Sequence, residues 1–278
     1  MQASKPVFTI LGFMALSACG GGGSPSANVQ PPPVTNESVG GIWTTQYTVT
    51  SGANTGDVIQ AEGIVSESGQ YFGYSKNTTN GCAGIAFGSL SVNGANVSGT
   101  ENAATVRYST IPGVNTACVY PDGTTSASAN VTGQVASRAM LTLTATGTTS
   151  NGNALPTETT TFDFSNLYLN ASSLASIAGN YNDGGPTMTV DGNGAIFEQD
   201  PNGCVLSGQV SIINATYNAY AIRITFANCL GTDAVLNGQT FSGLVTLDTQ
   251  VSPTAVIGGV TGTLNGQTIA EVFDLPRM

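Results

Sequence analysis

Asp57, Glu62 and Glu67 fall within one short stretch of the chain. Paired acids are what glycoside hydrolysis needs, one to protonate a leaving oxygen and one to attack or to activate water. Nothing in the stretch sets these carboxylates apart from ordinary solvated groups on a strand and its turn. Asp191-Gly192-Asn193-Gly194 alternates oxygen ligands with glycine as a calcium loop does, but no glutamate stands at the closing position, so it reads first as a hairpin turn. Asp200-Pro201-Asn202-Gly203 reads the same way. Trp43 is the only tryptophan, and with Tyr47, Tyr71, Phe72 and Tyr74 it could line an apolar or sugar-stacking pocket. Core packing accounts for most aromatic residues in such stretches.

What the chain lacks excludes more than what it has suggests. It contains no histidine, which removes Ser-His-Asp and Cys-His catalysis and histidine-ligated metal sites together. There is no Cys-x-x-Cys, nucleophile elbow or phosphate-binding loop either. No cofactor, metal or catalytic site is therefore expected, and the chain reads as a non-enzyme. Six Lys and Arg stand against 16 Asp and Glu, for a net charge of -10. Lys76, Arg107, Arg138, Arg223 and Arg277 are scattered singly, whereas nucleic acids and anionic membranes require clustered cations.

The elements that must position any site are strands. Charged residues make up 8% of the chain and hydrophobic ones 40%, with Thr, Ser, Asn and Gly filling the polar positions, a composition suited to sheet and turns. Short β-branched and aromatic runs recur from residue 42 to 164. Between them lie Ser68-Gly69, Asn80-Gly81, Asn93-Gly94, Asp122-Gly123 and Asn151-Gly152, pairs that suit tight hairpins. The rhythm breaks at 170–179, where Leu174 and Ile177 suggest one helical turn ended by Gly179, and then resumes.

The halves on either side look like diverged copies. Asn80-Gly81-Cys82 corresponds to Asn202-Gly203-Cys204, Cys118 to Cys229, and Thr132-Gly133-Gln134-Val135 to Ser242-Gly243-Leu244-Val245. The segment from Glu158 to Phe164 corresponds to Glu271-Val272-Phe273-Asp274. The expected fold is all-β, with two tandem antiparallel meander, small-barrel or sandwich repeats at 39–170 and 171–278.

At the start of the chain, Lys5 precedes the apolar run Val7–Leu16, which is too short to span a bilayer as a helix. Leu16-Ser17-Ala18-Cys19 follows, and this segment resembles the lipobox of bacterial lipoproteins. The resemblance implies a signal peptide at 1–18, cleavage before Cys19, and palmitate-type acyl chains on Cys19. Gly20 stands where an aspartate would signal inner-membrane retention, so the outer membrane is implied, on its periplasmic face or at the cell surface. Residues 19–38, rich in Gly, Ser and Pro, read as a flexible spacer, and the body resembles a tandem-repeat β lipoprotein.

With Cys19 committed to lipid, four cysteines remain for an exported protein to oxidise. Among the three connectivities, the repeat selects Cys82–Cys118 and Cys204–Cys229. Aromatic residues are too few, at 7%, for the girdles of a transmembrane barrel, which favours anchoring over spanning. The leading expectation is a non-enzymatic, lipid-anchored envelope protein with a binding or structural role toward a protein or small-ligand partner. A small-barrel carrier of an apolar ligand is the alternative, and a glycan hydrolase using Glu62 and Glu67 is a further one.

Overall fold

In a computed structural model, which describes residues 36–49 and 55–278, the β-branched runs form strands and the Gly, Asn and Asp pairs form the turns between them. The lipobox, Cys19, Gly20 and the spacer as far as residue 35 lie outside the described residues. The first meander contains β1 (Gly41–Thr48), β2 (Val58–Val65), β3 (Gln70–Asn77), β4 (Cys82–Asn93) and β5 (Asn96–Ser109). It continues through the two-residue β6 (Thr116–Ala117), β7 (Ala127–Ala136), β8 (Met140–Thr149) and β9 (Glu158–Ser165). Each long strand pairs antiparallel with the next, β5 passing over β6 to pair with β7. β9 returns to β1 through Ile42–Ser165, Trp43–Phe164 and Thr44–Asp163, which closes an 8-strand antiparallel barrel.

A 3-10 turn (Asn166–Leu169) and one turn of helix, α1 (Leu174–Ile177), connect to the second meander. Ser173 caps α1 by accepting the amide of Ser176 at 3.0 Å. There follow β10 (Gly179–Tyr181), β11 (Met188–Val190), β12 (Ala195–Gln199), β13 (Val205–Ile212), β14 (Tyr220–Ala227), β15 (Thr240–Asp248), β16 (Ala255–Leu264) and β17 (Gln267–Pro276). These pair antiparallel in chain order. The Tyr181–Arg277 bridge and the backbone bond from Met278 to Asn180 join the last strand to the first. Both halves are thus up-and-down barrels, and among the described residues no helix is long and apolar enough to cross a membrane.

Cysteines pair within each half. Cys82 is bonded to Cys118, and Cys204 to Cys229. The first bond, with the short parallel pairing of β6 beside the start of β4, pins the 110–126 connection across one end of the first barrel.

The barrels are joined side by side. β10 has only three residues, so much of the edge of the ten-residue β17 would be unpaired, and β5 pairs parallel with it over Ile269–Val272. Thr110 extends the join, donating its amide to the Val272 carbonyl at 3.1 Å. Beneath this seam a single apolar cluster contains Ile42, Ile64, Phe72 and Ile85 from the outer face of the first barrel, with Leu244, Ala270 and Val272 from the second.

Candidate functional site

Strand alternation decides what each barrel contains, because side chains two apart share a face. In the second barrel the inward positions carry large side chains. Tyr181, Met188, Ile196, Phe226, Phe241 and Phe273 belong to one buried cluster that fills the interior. The first barrel has the opposite pattern. Its inward positions include Ala61 and Gly63 on β2, Gly73 and Ser75 on β3, Gly84, Ala86 and Gly88 on β4, and Ala103 on β5. Ala127 and Ala129 on β7, with Ala145 and Gly147 on β8, continue around the wall. Such side chains cannot reach the barrel axis, and a lumen of about 740 Å³ remains. That volume lies within the usual range of small-molecule sites, roughly 300–1,000 Å³.

One end of this lumen is plugged. Trp43, Val65, Leu90, Val131, Val135 and Leu141 pack together there. Trp43 meets Phe164 edge to face with centroids 5.3 Å apart and donates its indole N–H to the Val39 carbonyl at 2.9 Å. At the other end Val119, Tyr120, Pro121 and Asp122 from the 110–126 connection line the lumen together with Leu155 and Pro156 from the β8–β9 loop. Asp122 holds this cap together. It accepts hydrogen bonds from Asn153 Nδ2 at 2.9 Å, from the Thr149 hydroxyl, and from the amide and hydroxyl of Thr124. The bonds from Asn153 and Thr149 hold its carboxyl well below the usual carboxylate range.

Two carboxylates face into the lumen, Glu101 from β5 and Glu158 from β9. Glu101 accepts the Tyr71 hydroxyl at 3.0 Å. Burial raises its pKa, and the bond from Tyr71 offsets that rise only in part. Glu158 is pushed up to about 7, first by burial and then by the charge of Glu101. Tyr47 is raised to about 12 by burial and by Glu158. Tyr120 reaches about 12 through burial, with Glu101, Glu158 and Asp122 adding to it. Among the described residues no Lys or Arg lines the lumen. The first barrel therefore holds an apolar chamber with an acidic, tyrosine-bordered interior.

The carboxylates singled out from sequence do not meet. Asp57 sits at the rim, where it accepts Asn77 Nδ2 at 2.6 Å. Glu67 lies at the plugged end, bonded by the Ser38 and Tyr168 hydroxyls. Glu62 is on the outer face of β2, bonded by Tyr74 and near Asp248 and Asp274 of the second barrel. Burial first, and those two charges next, push it up to about 7. The aromatic group divides by strand parity. Trp43, Tyr47 and Tyr71 turn inward to the lumen, whereas Phe72 and Tyr74 join the cluster between the barrels.

Asp191 and Asp200 close hairpin turns. Asp191 Oδ1 accepts the amides of Asn193 and Ala195, and Asp200 Oδ1 those of Asn202 and Cys204. Among the described residues no group of three or more acids and cysteines is placed to hold a metal. Glu101 and Glu158 are distant in the chain, so no catalytic spacing in the sequence marks them. The available signal was the run of Ala and Gly at alternate positions of β2 to β8. No protein-family model, curated protein or solved structure matches this chain.

Proposed function

We propose that the chain is a lipid-anchored cell-envelope binding protein whose first barrel holds a small, largely apolar ligand. The 740 Å³ lumen, left open by small inward residues in one barrel and filled by large ones in the other, carries this reading. A barrel needed only for structure would be expected to fill with side chains as the second one does, because an empty interior forfeits dispersion contacts. The second barrel serves as a rigid partner that backs the wall of the first.

Binding is tested with a neutral fluorescent probe, N-phenyl-1-naphthylamine. Saturable binding to the protein is expected, and its loss in the Ala103→Leu, Ala129→Phe double variant, which fills the lumen with hydrocarbon. Native mass spectrometry of protein from its own host adds a search for retained ligand. A wild-type protein that takes up no probe, or a filled variant that binds equally well, would overturn the assignment.

Anchoring rests on the lipobox residues Leu16-Ser17-Ala18-Cys19, with Gly20 favouring the outer membrane and the spacer holding the barrels away from it. Mass spectrometry of the N-terminal peptide should find acyl chains on Cys19, and Cys19→Ser should release the protein from membranes. An unmodified Cys19 thiol would refute the anchor and leave the lumen assignment standing.

A further inference from the structure

The lumen contains anionic groups without a counter-charge. The Glu158 carboxylate accepts no hydrogen bond from any described residue, and only one oxygen of Glu101 is bonded, by Tyr71. They approach from β5 and β9, on opposite sides of the β7–β8 hairpin, and both line the same chamber. The other titratable groups bordering the chamber from the elements around it are Tyr47, Tyr71, Tyr120 and Asp122. Glu62 and Tyr74 contribute from the strands whose side chains turn outward. None is a cation. The described cations are committed elsewhere or, like Arg223, exposed outside. Lys76 bonds the Pro112 carbonyl, Arg107 the carboxylate of Asp233, Arg138 the Tyr217 hydroxyl and Arg277 the Tyr181 hydroxyl.

Two half-buried carboxyl groups bordering an apolar enclosure are costly to keep charged unless something pairs with them. An interior selected only for hydrocarbon would carry small or apolar residues at these inward positions, as most of the wall and plug do. An anionic ligand such as a fatty acid would meet like charge. An ammonium group offers the missing positive charge and donors for the free oxygens, in charge-assisted bonds. Tyrosine rings beside it add attraction through their faces.

We propose that the lumen of the first barrel takes a small cationic amphiphile, an alkyl- or arylamine whose ammonium sits between Glu101 and Glu158 and whose hydrocarbon lies against the Ala and Gly wall. This rests on the lumen-binding assignment above and specifies the ligand's chemistry. Glu101, Glu158 and Tyr71 select for charge, and the small-residue wall selects for length and bulk.

Trp43 supplies the readout, since the only tryptophan borders the chamber. The full chain is titrated at neutral pH with decylamine, 1-decanol and decanoate, followed by tryptophan fluorescence and by calorimetry in buffers of different ionisation enthalpy. Decylamine is expected to bind about tenfold or more tighter than decanol, in line with the strength of hydrogen bonds to charged groups, with decanoate weakest. Because Glu158 in the empty chamber is pushed up to about 7, amine uptake near that pH should release protons. Glu158→Gln and Glu101→Gln, near-isosteric changes, should each reduce the preference for decylamine over decanol. Decanol binding with no preference for the amine, or a preference that survives both substitutions, would overturn this inference and leave the apolar lumen in place. Failure of all three probes to bind would overturn both.

Discussion

Burial of acids in this protein makes its stability depend on pH in an unusual direction. Glu62, Glu158 and Glu271 are each pushed up to about 7, with burial the first cause in every case. Glu271 faces into the second barrel, where Arg107 partly offsets the rise and Glu198 and Asp233 add to it. Unfolded carboxylates titrate near 4.3, so between that value and about 7 the native state binds more protons than the unfolded chain. Stability is therefore full below the unfolded value, falls as pH rises through this window, and its contribution is lost above about 7. Each of the three groups contributes on the order of 1–3 kcal/mol. Thermal melts of the ligand-free protein should show a higher midpoint at pH 5 than at pH 8, and Glu158→Gln should narrow the gap. A midpoint that is higher at pH 8 would contradict this accounting. A bound amine should also narrow the gap, because it stabilises the charged form of Glu158.

Among the elements, the cap over the first lumen has the most specific consequence. The Cys82–Cys118 bond closes a 36-residue separation and the Cys204–Cys229 bond one of 25, so the loop-entropy estimate gives each a similar contribution, about 3.5–4 kcal/mol. Only the first bond, however, ties down a connection that borders the chamber. Replacing Cys82 and Cys118 by Ser should lower the melting midpoint and speed release of a bound probe. Replacing Cys204 and Cys229 should lower the midpoint comparably and leave release unchanged; equal release rates from both variants would refute the cap. The pairing itself was legible from the repeat, because both copies keep their cysteines at corresponding turns. Strands and hairpins were legible for a local reason, since pairs such as Ser68-Gly69 place a positive φ at the glycine, where a Cβ would also lie 1.9 Å from the Leu90 carbonyl. The hollow was not legible, because it depends on twelve residues around β2 to β8 facing one axis. Ala61 and Ala129 are unremarkable alone, and only register and closure make them opposite walls. Glu101 and Glu158 escaped notice for the same reason, whereas Phe72 could have been separated from Tyr71 by parity.

At the scale of the whole molecule, the chain forms two barrels of one plan with different interiors, and the join between them makes the difference tolerable. A hollow barrel loses the internal packing that normally holds a small β domain together. The first barrel compensates at its plugged end, at the capped end, and along the wall that Phe72, Ile85 and Ala104 share with Leu244, Ala270 and Val272. Strands β2 to β5 are thus packed from outside where they are empty inside, which keeps the lumen from collapsing. This predicts that the barrels unfold together, in one calorimetric transition. Ala270 is fully buried in the seam, paired with Val106 of β5. Ala270→Arg should overpack the seam and bury a charge without a partner. The single transition should then split, with the hollow first barrel melting at the lower temperature and the filled second barrel persisting above it. Probe binding should disappear with the lower transition. Were the variant to keep one transition, or to lose probe binding only with the upper one, the second barrel could not be the support for the first.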